Sequence, residues 1–218
     1  MKKIIISLSI MVAIAGIVIG VTSAYFSDTE TSTNNTMAAG TMDLNINGGN
    51  IAVQTINLTN KAPGDTGKES SILKNVGSLD GELDVAMGMV ANYACTNTTY
   101  GKHDGTEHCT TAAGALGANA QMALYIDVNQ DGGYDNGTDI GLKSDTTIYT
   151  TGSLVYDAID NYGGKTWNPG NNGVVAMTTG AEYNFVIDWK IPTTVQNEIQ
   201  GDALNFDVTF ILEQANAD

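Results

Sequence analysis

Apolar and polar residues alternate with period two along much of the chain. In "EYNFVIDWKI", residues 182–191, Tyr183, Phe185, Ile187, Trp189 and Ile191 share one face, and Glu182, Asn184, Asp188 and Lys190 share the other. Leu204, Phe206, Val208, Phe210 and Leu212 alternate in the same way, as do Leu83, Val85, Met87 and Met89. Successive side chains of a strand point to opposite faces, so this pattern predicts antiparallel strands with one face buried. Further strands are expected over 42–46, 51–58, 71–74, 122–128, 147–156 and 173–177. Turn-forming clusters such as "NGGN", "PGD", "NVGS", "DGG" and "NPGNNG" lie between them. Only residues 155–162 suggest a helix, and a short one. The expected fold is all-β, a jelly-roll-like antiparallel β-sandwich with loop insertions. It would form a single domain over residues 41–218, with an insertion around 92–121 where the alternation fails.

The N-terminus follows a different rule. Lys2 and Lys3 precede an apolar run over 4–21, and Thr22, Ser23 and Ala24 then supply small side chains. This is the order of a signal peptide over residues 1–24, cut between Ala24 and Tyr25. A retained anchor is the rival, since about 18 apolar residues can span a bilayer. The 218 residues hold 24 acids and 9 lysines, no arginine, and a net charge of −15. Removing the leader leaves 7 lysines against 24 acids, or −17. Phosphate backbones and anionic lipid headgroups repel such a chain, so nucleic-acid binding is excluded. Divalent cations are attracted instead.

One segment has the oxygen spacing of a cation loop. In "DVNQDGGYDNGTD", residues 127–139, Asp127, Asn129 and Asp131 fall at positions one, three and five, with Gly132 at six. Calcium loops use this order because alternate oxygens converge and glycine permits the sharp turn. Gly133 would offer its carbonyl at position seven, and Asp135 stands at nine. Position twelve is Thr138; the next acid, Asp139, comes one residue later. The flanks read as strands, so the reading is a calcium site in a β-loop rather than between helices. The plain alternative is a solvated hairpin tip.

Cys95 and Cys109 bound "CTNTTYGKHDGTEHC". An even pair in an exported chain points to a disulfide, stabilising by about 3 kcal/mol in the chain-entropy model. His103 and His108 would complete a four-ligand zinc set, but His108 adjoins Cys109 and no C-x-x-C is present. No H-E-x-x-H occurs, and "TGSLV" around Ser153 lacks a nucleophile elbow, so no catalysis is expected. Trp167, in "GGKTWNPGNN", is either an exposed stacking surface for a sugar or a loop anchor on the core. Four N-x-T sequons, at Asn34, Asn57, Asn97 and Asn136, are ordinary for a chain rich in Asn and Thr.

Behind the leader, Tyr25, Phe26, Ser27 and Asp28 are followed by "NNTM" at 34–37 and "AGTMDL" at 39–44. With "PGD" at 63–65, "NVGSL" at 75–79 and the strand over 204–212, these residues resemble the TasA/camelysin family. The resemblance covers the frame of the chain and leaves residues 92–170 unmatched. It implies a secreted jelly-roll subunit of extracellular or biofilm matrix fibres, released by a SipW-type signal peptidase. Residues 25–40 would then be a donor strand laid on the neighbouring copy, anchored by Tyr25, Phe26 and Met37. Strand addition draws affinity from main-chain hydrogen bonds and register from alternate side chains. The alternatives are a calcium-dependent adhesive or carbohydrate-binding module and, from the camelysin label, a secreted metalloprotease. A disordered tail is the alternative for the segment itself.

Overall fold

Fourteen strands form among the residues that the computed structural model describes, namely 40–50, 53–96, 108–110, 114–168, 173–199 and 201–214. They are β1 (Leu44–Ile46), β2 (Val53–Thr59), β3 (Thr66–Asn75), β4 (Gly81–Met87), β5 (Ala91–Thr96), β6 (His108–Thr110) and β7 (Gln121–Asp127). Then follow β8 (Ile140–Leu142), β9 (Ile148–Tyr149), β10 (Asp157–Ala158), β11 (Thr166–Trp167), β12 (Val175–Met177), β13 (Glu182–Lys190) and β14 (Ala203–Gln214). One helical turn, α1 (Leu116–Asn119), precedes β7, and 3-10 turns cover Ile159–Tyr162 and Asn197–Ile199. No helix among the described residues is long and apolar enough to cross a membrane.

The strands make two antiparallel sheets, the all-β sandwich that the alternation predicts. The first runs β1-β3-β13-β7-β8-β9, with β10 continuing the edge of β7. The second is organised by β14, which takes β2 on one side and both β5 and β4 on the other. Strands β11 and β12 extend β4, and β6 extends β5. The alternating faces of β13 and β14 meet in the middle, where Phe185 and Phe210 pack edge to face at 5.0 Å between ring centroids. Both are almost wholly buried, along with Ile187, Trp189, Leu204, Phe206 and Val208. Burial of each large side chain contributes about 2–3 kcal/mol, and the edge-to-face geometry suits the ring quadrupoles.

Four expectations change. Met89 leaves the inward face of its strand and is 77% exposed. Between the pairs Met87↔Val208 and Ala91↔Asn205, β4–β5 has three residues where β14 has two, a bulge that turns Met89 outward. The single strand expected over 147–156 is reduced to β9, because the chain turns at Gly152 with φ 114°. The ends of the segment 92–121 belong to the frame: Ala91–Thr96 is β5, and Leu116 is fully buried. The helix suggested over 155–162 is only the 3-10 turn. Strand β7, in turn, is buried on both faces from Met122 to Asp127, which is why "MALYI", residues 122–126, reads as a continuous apolar run.

One corner explains two of the sequence motifs. The Thr41 N–H donates to Ser78 Oγ, and the Thr41 carbonyl accepts from Ser78 and Leu79 N–H groups. The Asp43 carbonyl accepts from Val76. A Cβ at Gly77 would collide with the Thr41 carbonyl oxygen, so the close approach requires glycine there. Asn75, fully buried, holds the corner: its Nδ2 donates to the carbonyls of Leu79 and Met177, and its Oδ1 accepts from Gly77 N–H. "GTMDL" and "NVGSL" are therefore two sides of one hydrogen-bonded corner. Replacing Asn75 by Ala leaves those buried groups without partners and should destabilise by about 3 kcal/mol. Urea unfolding of the two proteins, with the midpoint moving down at unchanged slope, checks this.

Candidate functional site

The acidic segment forms the connection from β7 to β8. Asp127 ends β7 and Asp139 immediately precedes β8, and both are fully buried. Asn129, Asp131 and Asp135 lie above them; Asp131 and Asp135 are exposed. The chain reverses through Gln130 at φ 60° and Gly132 at φ 84°, and the second is the left-handed step that glycine makes readily. The sequence-predicted ligands are thus brought into one loop, two at its base and three toward its rim.

Hydrogen bonds define the loop's inner geometry. Asp127 Oδ2 accepts from Gly132 N–H at 3.0 Å, while its Oδ1 is buried with no hydrogen-bond partner among the described residues. Asp139 is engaged at both oxygens, by Val128 N–H at 2.9 Å and Asp135 N–H at 2.8 Å. At the rim, the Asn129 amide nitrogen donates to Asp131 Oδ2 at 3.1 Å and to Asp135 Oδ2 at 2.9 Å. Asp131 Oδ1 accepts from Gly133 N–H. That bond, first among several, holds the Asp131 carboxyl below its usual range. Burial pushes the Asp139 carboxyl up despite its two backbone donors, and the charges of Asp127 and Asp135 add to the rise. In this hydrogen-bonded arrangement no three His, Cys, Asp or Glu side chains among the described residues already converge on one metal position, so an ion here would have to draw the rim carboxylates away from their present donors.

The loop leans on the outer face of the first sheet. Tyr134 packs edge-on to Tyr125 at 5.5 Å, and Tyr149 flanks Tyr134 at 6.1 Å. Lys68, from β3, donates to the Gly132 carbonyl at 2.8 Å and to Tyr125 Oη at 3.3 Å, and lies 3.6 Å from Asp188. The sequence carries no signal for Lys68. An outward lysine on a polar strand reads as a solvated charge, and only the strand register brings it beside the loop.

Trp167 is fully buried in β11 and donates from Nε1 to the Lys143 carbonyl at 2.9 Å. It cannot stack an exposed sugar; it anchors its loop on the core. The register of β5 and β6 sets Cys95 directly opposite Cys109. Directly opposed residues of an antiparallel pair have Cα atoms about 4.5–5.5 Å apart, within disulfide reach. His103, needed for the zinc alternative, lies outside the described residues, as do Ala24, Tyr25, Phe26 and Met37.

Several strand edges lack strand partners among the described residues, and those of β2 and β3 are among them. Strand β2 pairs only with β14. The outer side of β3 is covered by β1 from Leu73 to Asn75 alone, and Asn47 takes up both backbone groups of Ile72 through its side chain and N–H. Residues 66–71 therefore present an open edge.

Fold and site define a two-sheet antiparallel β-sandwich with an acidic loop on one face and unfinished edges. The chain belongs to the camelysin metallo-endopeptidase family, whose profile matches residues 1–218. This agrees with the TasA/camelysin resemblance of its motifs. No curated protein matches the sequence. The cysteine register yields a prediction: protein purified without reductant should weigh two hydrogens less than its reduced form and resist alkylation until reduced. Full alkylation without reductant would contradict it.

Proposed function

We propose that this chain is a secreted structural subunit of extracellular or biofilm matrix fibres, assembled by donation of residues 25–40 to the next copy. The observation that carries this reading is the open edge of β3 over residues 66–71; β2 likewise has a partner on one side only among the described residues. The short corner over residues 60–65 joins these strands, which belong to opposite sheets. An edge with unpaired N–H and C=O groups is a template for another strand. Lys68 and Glu69 on it discourage indiscriminate pairing, as charged edge residues do. The donor segment enters the fold at Thr41, in the corner that Asn75 holds, so the segment before it is joined to a fixed point.

Release by a SipW-type signal peptidase between Ala24 and Tyr25 would free the segment. Before the cut, the leader ties it to the membrane. The partner is another copy of the chain, and the location is outside the cell. Tyr25, Phe26 and Met37 would supply the apolar side chains of the donated strand.

The family description favours a second reading, a metal-dependent endopeptidase. The sequence supports it poorly. Its two histidines, His103 and His108, stand in the cysteine loop, and no H-E-x-x-H occurs. Chelator-sensitive cleavage of a denatured protein substrate would favour the enzyme.

The strand reading is tested on the edge itself. A proline at Ser70 removes a backbone donor and blocks strand addition if that N–H faces outward. Substituting Ser70 and Ser71 by proline one at a time covers both orientations. One of the two should keep the far-ultraviolet spectrum and thermal midpoint of the parent while losing binding to a synthetic peptide of residues 25–40. Undiminished peptide binding by both folded variants would contradict docking on β3.

A further inference from the structure

We propose that the loop from Asp127 to Asp139 binds a calcium ion through Asp127 Oδ1, the Asp131 and Asp135 carboxylates, the Asn129 side-chain oxygen and the Gly133 carbonyl. The decisive observation is Asp127. Its side chain is wholly buried, and its carboxylate is fixed toward the loop by the bond from Gly132 N–H to Oδ2. Oδ1 then has no hydrogen-bond partner among the described residues. An unpaired buried carboxylate oxygen is costly unless a cation or donor satisfies it.

The rim gives an independent sign. Asp131 and Asp135 are both acidic, yet an oxygen of each converges on the one amide nitrogen of Asn129. A cation at that place would satisfy both carboxylates more strongly than a neutral amide. The amide would then turn over and present its oxygen as a further ligand. Such a flip exchanges two atoms of similar size and needs no backbone movement.

The structure also divides the roles. Asp139 accepts from Val128 and Asp135 N–H groups, so it closes the loop and is a positioning residue. The Gly132 carbonyl is taken by Lys68, which leaves the Gly133 carbonyl as the main-chain ligand. Carboxylate, amide and carbonyl oxygens suit calcium, whose coordination geometry is permissive. Magnesium demands a tighter octahedron and keeps its water. Without a bidentate glutamate, the affinity belongs with extracellular sites, about 0.1–1 mM.

Tyr134, inside the loop, and Tyr125 beneath it provide the readout. The full chain, stripped with chelator, is titrated with terbium while tyrosine is excited. Expected is sensitised terbium emission that calcium displaces and magnesium at equal concentration does not. A buried substitution such as Asp127→Asn can unfold the loop, so the exposed pair Asp131→Asn with Asp135→Asn is the deciding variant. That double variant should bind at least about tenfold more weakly, while Glu198→Gln, exposed and outside the loop, binds as the parent does. Absence of emission from folded protein, emission the double variant leaves unchanged, or equal displacement by magnesium would each overturn the site. The readout is ion binding to single chains, so it stands or falls apart from fibre assembly.

Discussion

The sandwich rests on the contact between two central strands, β13 and β14. Phe185 and Phe210 meet edge to face where the inner faces of the sheets cross the middle of the core. Each strand is bonded along both sides: β13 by β3 and β7, β14 by β2 and by β4 with β5. Everything else is placed relative to this pair. The acidic loop leaves from β7, one strand away from β13. The edges of β3 and β2 considered for docking are those of the neighbours of β13 and β14 on their other sides.

Those two central strands were also the most legible parts of the sequence. Their apolar residues alternate because one face is buried and the other is covered only in part. Legibility failed where the backbone departs from a plain strand. The bulge after Met87 turns Met89 outward, though its spacing matches that of Leu83 and Val85. Gly152 breaks a run that reads as one strand. Trp167 sits in a stretch with the composition of a loop, yet its indole is an anchor in the core. At the loop, the acids were legible by spacing alone. Lys68, 59 residues before Asp127, was not, because pairing of β3 with β13 and of β13 with β7 brings it there.

Charge gives these features a common setting. A chain of net charge −15 repels its own copies at low salt, so assembly by contact of its surfaces at large is disfavoured. Strand addition escapes much of this cost, since its affinity comes from main-chain hydrogen bonds that are indifferent to side-chain charge. Lys68 lies on the open edge of β3 and bonds to the Gly132 carbonyl of the acidic loop. In the proposed fibre, the acidic loop and the docking edge therefore share one side chain.

If residues 25–40 are the donated strand, fibre formation requires them. Negative-stain electron microscopy of protein beginning at Tyr25, beside protein beginning at Thr41, tests it most directly. Residues 40–218 form a compact unit of their own, so both proteins should fold. Filaments are expected from the longer protein and folded monomers from the shorter. Folded monomers from both, or filaments from both, would contradict this.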